Sequence, residues 1–255
     1  MARTALVAGL PRVGVMALDS DLALEPEMAS VLSGEVGVHV SRVSYPGEVS
    51  VDALQAASLK VLDAAAQLLP TRPGMLIYAC TSGSFYDGQA GNESIEAAVL
   101  EATGVPCMTA SSAVVRSLRR LAARRIAVIS PYSYEVTDRL VSFLNESGFS
   151  VTDVAYLFGN ESVDDVTLQS VDHSDFQAAL DGLKPLDADA VLISCTGMRA
   201  VGLLNDLEEA VQRPVITSNA AICRAIMDFA GCEPRPQGIL LALPAQSLGL
   251  AGGAS

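Results

Sequence analysis

A chain of 255 residues, 50% hydrophobic and 18% charged, buries enough apolar surface for one large domain or two lobes of roughly 100–150 residues, and is no disordered polymer. A net charge of -13, with no basic stretch beyond 116–125 to offset it, excludes nucleic acid as a partner. Apolar runs such as 191–193 and 238–243 stay far below the roughly 20 residues that cross a bilayer, so no membrane association is expected.

The apolar stretch 5–18 is interrupted by Pro11, Arg12 and Gly14 and reads as a first strand rather than a leader peptide. The loop Leu18-Asp19-Ser20-Asp21 follows, then a helix over 22–32. Short β-rich apolar runs predict further strands at 38–43, 75–79, 126–130, 151–157, 190–194 and 215–217. Apolar residues at helical spacing predict helices over 51–69, 93–103, 113–122, 134–147, 175–183, 200–211 and 220–230. Such alternation predicts an α/β fold, with mostly parallel sheets flanked by helices and ligands bound at the carboxyl ends of strands.

An internal echo divides the chain. Met75-Leu-Ile-Tyr-Ala-Cys80-Thr-Ser-Gly returns as Ala190-Val-Leu-Ile-Ser-Cys195-Thr-Gly, and Val105-Pro-Cys-Met-Thr-Ala-Ser returns as Arg213-Pro-Val-Ile-Thr-Ser-Asn in nearly the same register. Two pseudo-symmetric lobes follow, with an active site in the cleft where Cys80 and Cys195 would meet. The predicted division is residues 1–112 plus 214–255 for the first lobe and 113–213 for the second.

Five cysteines at irregular spacing do not form a disulfide framework, and the expected compartment is the reducing cytoplasm. His39 and His173, without CxxC or HxxxH spacing, do not make an ordinary zinc site, so no metal is expected. Lys60 and Lys184 occupy no strand end of the kind a pyridoxal lysine uses, and the dinucleotide, P-loop and hydrolase-elbow motifs are absent. No cofactor is expected.

A cysteine closing an apolar strand is ordinarily a small buried hydrophobe. Two in equivalent contexts, each followed by threonine and a small-residue turn, point to chemistry, whereas Cys107, Cys223 and Cys232 lack that context. Removing a proton beside a carboxylate forms an ene-diolate and needs a base, an acid on the opposite face and donors for the oxygens. Cys80 and Cys195 supply the acid and base. Both Cys-Thr turns are expected to open helices, which lower a thiol pKa. Thr81, Ser82, Thr196 and Gly197 are candidate donors to a carboxylate, although Ser and Thr at such turns are also ordinary helix caps.

The run Cys80-Thr-Ser-Gly-Ser-Phe-Tyr-Asp-Gly88, with Glu101-Ala-Thr-Gly-Val-Pro-Cys107, Ile129-Ser-Pro-Tyr132, Asp138-Arg-Leu and Ile193-Ser-Cys195-Thr-Gly, resembles the aspartate/glutamate racemase superfamily. Within it the chain is similar to the branch of arylmalonate decarboxylase and maleate cis-trans isomerase, over about 13–231. The resemblance implies catalytic Cys80 and Cys195, a small carboxylate substrate, no cofactor and no metal, and leaves room for a homo-oligomer. Carried over, the pattern makes Thr81, Ser82 and Tyr132 carboxylate or oxyanion donors, places Thr196 and Gly197 in the matching nest, and loosely aligns Asn160 with a substrate-binding asparagine. Cys80 stands where the decarboxylases carry glycine, which argues against a dedicated decarboxylase. The loop Leu18-Asp19-Ser20-Asp21 resembles the Asp-Ser of amino-acid racemases, and Asp21 would repel a dianion unless an amino group intervened; otherwise it is a helix cap. The expected activity is a cofactor-independent isomerase, racemising or acting cis-trans. The alternatives are an arylmalonate-type decarboxylase and a non-catalytic carboxylate sensor.

Overall fold

The computed structural model describes residues 9–32, 34–45, 60–161, 163–183 and 186–248. The first part of the predicted helix 51–69 and Lys184 lie outside the described residues.

Strands β1 (Arg12–Leu18), β2 (Gly37–Val43), β3 (Met75–Ala79) and β4 (Cys107–Thr109) form one parallel sheet in the order β2-β1-β3-β4. Strands β5 (Arg125–Ser130), β6 (Ser150–Tyr156), β7 (Ala190–Ile193) and β8 (Val215–Thr217) form a second in the order β6-β5-β7-β8. The two orders are the same one, so the sequence echo is a repeat of topology. Central strands β3 and β7 are buried along their whole length, as parallel strands covered on both faces must be. Edge strands β2 and β6 are only partly buried.

The helices are α1 (Leu24–Leu32), α2 (Val61–Leu68), α3 (Thr81–Phe85), α4 (Gly88–Thr103), α5 (Ala110–Arg120), α6 (Tyr134–Glu146), α7 (Asp165–Gln169), α8 (His173–Gly182), α9 (Leu204–Val211), α10 (Ser218–Ala230) and α11 (Gly238–Ala242). Thr109 caps α5 by accepting from the Ser112 N–H, and Thr217 caps α10 from the Ala220 N–H, so the echoed threonines do the same job in both lobes. Helices α5 and α10 pack on each other, tied by Asp228, which meets Arg120 at 3.1 Å and Arg224 at 2.9 Å.

Three readings need correction. The segment 214–255 was assigned to the first lobe, yet β8 is hydrogen-bonded to β7 in the second sheet, because the echo that pairs β4 with β3 equally pairs β8 with β7. Short helices α7 and α11 have no counterpart in the predicted elements, being too brief for a helical period to register, whereas α3 opens at the Cys80-Thr81 turn as expected. The predicted helix 200–211 divides into a 3-10 turn at Val201–Leu203 and α9.

In each sheet the chain leaves its first strand for one side and then crosses to the other, which makes a topological switch point. In the first lobe this point lies at the ends of β1 and β3, and in the second at the ends of β5 and β7. Ligands bind in the crevice outside such points.

Candidate active site

The four loops leaving those strand ends carry Asp21, Cys80, Tyr132 and Cys195, and all four residues line one cavity with Leu18, Ser20, Tyr45, Thr81, Ser82, Gln169, Thr196 and Gly197. The free space is about 20 Å³ for the centre of a water-sized sphere. That is room for roughly one water molecule. A groove of about 340 Å³ between α1 and β2, lined by Met28, Leu32, Val36, Val38 and Val40, is larger but carries no nucleophile.

Cys80 is buried at the N-cap of α3, where its Sγ accepts the Gly83 N–H at 3.3 Å and lies 3.9 Å from the Ser82 hydroxyl. Gly83 is required there, since a Cβ would stand 2.6 Å from the Tyr78 hydroxyl and 3.0 Å from Sγ. Burial pushes the Cys80 thiol up, and the Gly83 N–H, Tyr78 and Ser82 oppose it without prevailing. The expected lowering by a helix N-terminus is thus outweighed, and Cys80 rests as the thiol.

Cys195 is half-buried, and its backbone φ of +143° lies in a region that side-chain-bearing residues rarely adopt. Its Sγ accepts the Gly197 N–H at 3.4 Å, and its own N–H donates to the Ser218 hydroxyl at 3.1 Å. No regular helix opens at this turn, contrary to the expectation of matching helix N-termini. Ser218 also accepts the Thr81 hydroxyl at 2.9 Å, so one buried oxygen ties the two cysteine loops together. Thr81 therefore directs its hydroxyl at Ser218.

Tyr132 is buried, packs edge-on to Phe85 and lies 3.4 Å from the Ser194 hydroxyl. Burial holds it far above the ordinary phenol range, so it is a neutral donor. Asp21 is 4% exposed, with Oδ1 accepting the Ala23 and Leu24 N–H groups at 2.8 and 3.0 Å. It is therefore the helix cap that the sequence allowed and a cavity residue as well. Its Oδ2 has no bond of regular geometry, although the Thr196 hydroxyl acts on the carboxyl; burial raises the Asp21 pKa against the pull of the helix N–H groups, Thr196 and Arg42. Among the described residues, neither lysine nor arginine lines the cavity.

Asn160 does not line the cavity. Its Oδ1 accepts the Tyr134 N–H at 3.0 Å, closing the first turn of α6. It follows edge strand β6, away from the switch point. Sequence reasoning missed Ser218, Tyr45 and Gln169. Gln169 reaches across the lobes, donating to the Ser20 carbonyl at 3.2 Å and accepting the Leu22 N–H at 3.0 Å. Nothing in its local sequence distinguishes it from an exposed helix-end residue.

None of the five cysteines forms a disulfide. Burial raises Cys107 and Cys223 strongly and Cys232 to about 11. Iodoacetamide should therefore label Cys195 first, followed timewise by peptide mapping; prior labelling of Cys107, Cys223 or Cys232 would refute the site geometry.

Two lobes of like topology, each sending a thiol from an equivalent strand end into one cleft, define a two-lobe α/β architecture with the candidate site between the lobes. A sequence profile described as arylmalonate decarboxylase matches residues 39–240, and the chain belongs to that family. Arylmalonate decarboxylase of Bordetella bronchiseptica is 32% identical over 216 residues, 83% of each chain. Maleate isomerase of Nocardia farcinica is 27% identical over 229 residues, 86% of this chain and 90% of the relative. A solved variant of the Nocardia farcinica maleate cis-trans isomerase, with a covalently bound succinylcysteine intermediate, shares the fold at a TM-score of 0.85 and 23% identity, covering 92% of this chain and 99% of that one. Among the described residues no helix is long and apolar enough to cross a membrane, and no group of three or more His, Cys, Asp or Glu could hold a metal ion.

Proposed function

We propose that this chain is a cofactor-independent isomerase acting on the carbon beside the carboxylate of a small acid, with Cys80 and Cys195 as the reacting thiols. The observation that carries this reading is the convergence of two thiols, from equivalent ends of equivalent strands, on one small polar cavity. In racemisation, one thiolate removes the α proton and the C–H electron pair passes into the carboxylate as an ene-diolate. The opposite thiol then gives its proton to the other face, so thiol and thiolate exchange sides. Tyr132 and Ser82 donate to the oxygens as charge develops. Cys80, held as the thiol by burial, suits the acid of this pair.

In the cis-trans case, Cys80 must first give up its proton to solvent against the rise that burial imposes; its thiolate then adds to the double bond while Cys195 protonates the neighbouring carbon. Rotation, return of that proton and cleavage of the C–S bond release the trans acid. Succinylcysteine, named for the Nocardia enzyme, is the adduct such an addition to maleate leaves. Asp21 separates the two cases. A dianion binds only while Asp21 keeps its proton, so its kcat/KM falls as pH rises through the raised Asp21 pKa; an ammonium-bearing acid gains over the same range. The family match supports a second reading, malonate decarboxylation, which needs only one proton donor.

Incubating the protein with amino acids, maleate and arylmalonates in heavy water tests these readings, with chiral chromatography, fumarate absorbance and released carbon dioxide as outputs. Solvent deuterium should enter the α position of at least one acid in a Cys195-dependent manner. No exchange, isomerisation or decarboxylation across the panel would leave a carboxylate-binding role instead.

A further inference from the structure

We propose that Glu27 is a positioning residue for Cys195, holding the loop 194–201 from the opposite lobe. Glu27 belongs to α1 of the first lobe and is 8% exposed. Its Oε1 accepts the Val201 N–H at 2.7 Å and its Oε2 accepts the Asn219 side-chain amide at 2.7 Å. The same Asn219 Nδ2 donates to the Thr196 carbonyl at 2.8 Å. One carboxylate thus secures both ends of the segment that carries Cys195, directly at Val201 and through Asn219 beside Cys195. Cys195 sits in this segment at φ +143°, an angle that the contacts around it must maintain, and Glu27 adds to the bonds from Ser218 and Gly197.

The arrangement requires an acceptor at both Glu27 oxygens. Asn219 uses both amide hydrogens, one on Glu27 and one on Thr196, while its Oδ1 is buried without a partner. An amide at position 27 would set its own NH2 against either the Val201 N–H or the Asn219 NH2. Reorienting Asn219 to accept from it would withdraw the donor from Thr196. A protonated Glu27 presents the same conflict. Burial raises the Glu27 pKa to about 7, opposed by Asn219 and the Val201 and Ala200 N–H groups and assisted by Asp21. The titratable neighbours coupled to it are Asp21, ahead of α1, and Cys223 on α10.

The role rests on Cys195 being a reacting thiol, so two readouts are needed. Glu27→Gln should lower kcat by about tenfold or more, with KM changed by less than about threefold, through loss of transition-state geometry. In the protein without substrate, Cys195 should be alkylated several times faster than in the wild type, as its loop loosens, while Cys80 labelling stays unchanged. The wild-type kcat should also fall on the acid side near Glu27 protonation, and this limb should be missing in Glu27→Gln. Asn219→Ala should reproduce the selective change at Cys195. Unchanged kcat and unchanged Cys195 labelling in Glu27→Gln would overturn the proposal. So would equal acceleration of labelling at all five thiols, or loss of fold in both variants, since Glu27 would then be a general tie between lobes. Should the wild type prove inactive on every acid, the function reading fails, while selective labelling at Cys195 still decides the positioning role.

Discussion

Cys195→Gly is expected to lose turnover by about a thousandfold or more while remaining as stable as the wild type or slightly more so. The loss follows from removing the acid or base on one face, a contribution of about 10²–10⁴ in rate. The stability expectation comes from the backbone. Cys195 holds φ +143°, where a Cβ is strained by about 1–3 kcal/mol. Glycine adopts that angle freely and adds an unfolded-state entropy cost of about 0.5–1 kcal/mol. The balance lies between about zero and 2.5 kcal/mol in favour of glycine, a rise in melting temperature of at most several degrees for a domain of this size. Calorimetry and isotope exchange on the same sample check both halves. A melting temperature lowered by more than about 5 °C, or exchange above a tenth of the wild-type rate, would mean that Cys195 is a packing residue.

That one residue combines strain with a thiol explains what could be read from the sequence and what could not. The described strands other than β4 were legible because a parallel sheet covered on both faces demands unbroken apolar runs, and β3 and β7 supply them; the three residues of β4 are too few to register as such a run. Asp21, Cys80, Tyr132 and Cys195 were legible because each follows a central strand, where the topology leaves a crevice. Asn160 was misplaced because its strand, β6, is at an edge. Glu27 and Asn219 were invisible for a different reason. An acidic residue in the first turn of α1 reads as ordinary helix-dipole complementation, and Asn219 near the start of α10 reads as a turn residue. Their role arises only when the lobes dock, which no local pattern records. Burial likewise decides the Cys80 thiol, since the donor at Gly83 is legible as a cap but the removal of solvent by Tyr78, Tyr132 and the second lobe is not.

Cys80→Gly should abolish racemisation or isomerisation, by about a thousandfold or more, and leave a different reaction open. The substitution removes the thiol from one face only, and the Cys195 loop, tied through Ser218 and Asn219, does not depend on the Cys80 side chain. A disubstituted malonate bound in the cleft could still lose carbon dioxide, its C–C electron pair passing into the remaining carboxylate as an ene-diolate. Cys195 would then protonate the carbon from its own face, and the resulting thiolate would recover its proton from solvent. The product should be a single enantiomer, because no thiol remains on the opposite side to protonate the carbon. Cys195→Gly should not form that enantiomer, since Cys80, its remaining thiol in the cleft, faces the other way. Removing a buried sulfur leaves a small cavity costing about 1–2 kcal/mol, which the variant should tolerate. Chiral chromatography of the acid formed, beside exchange assays on the wild-type substrate, provides the measurement. Wild-type isomerisation by Cys80→Gly would reduce Cys80 to a packing role, and a racemic decarboxylation product would show that protons arrive from solvent rather than from Cys195.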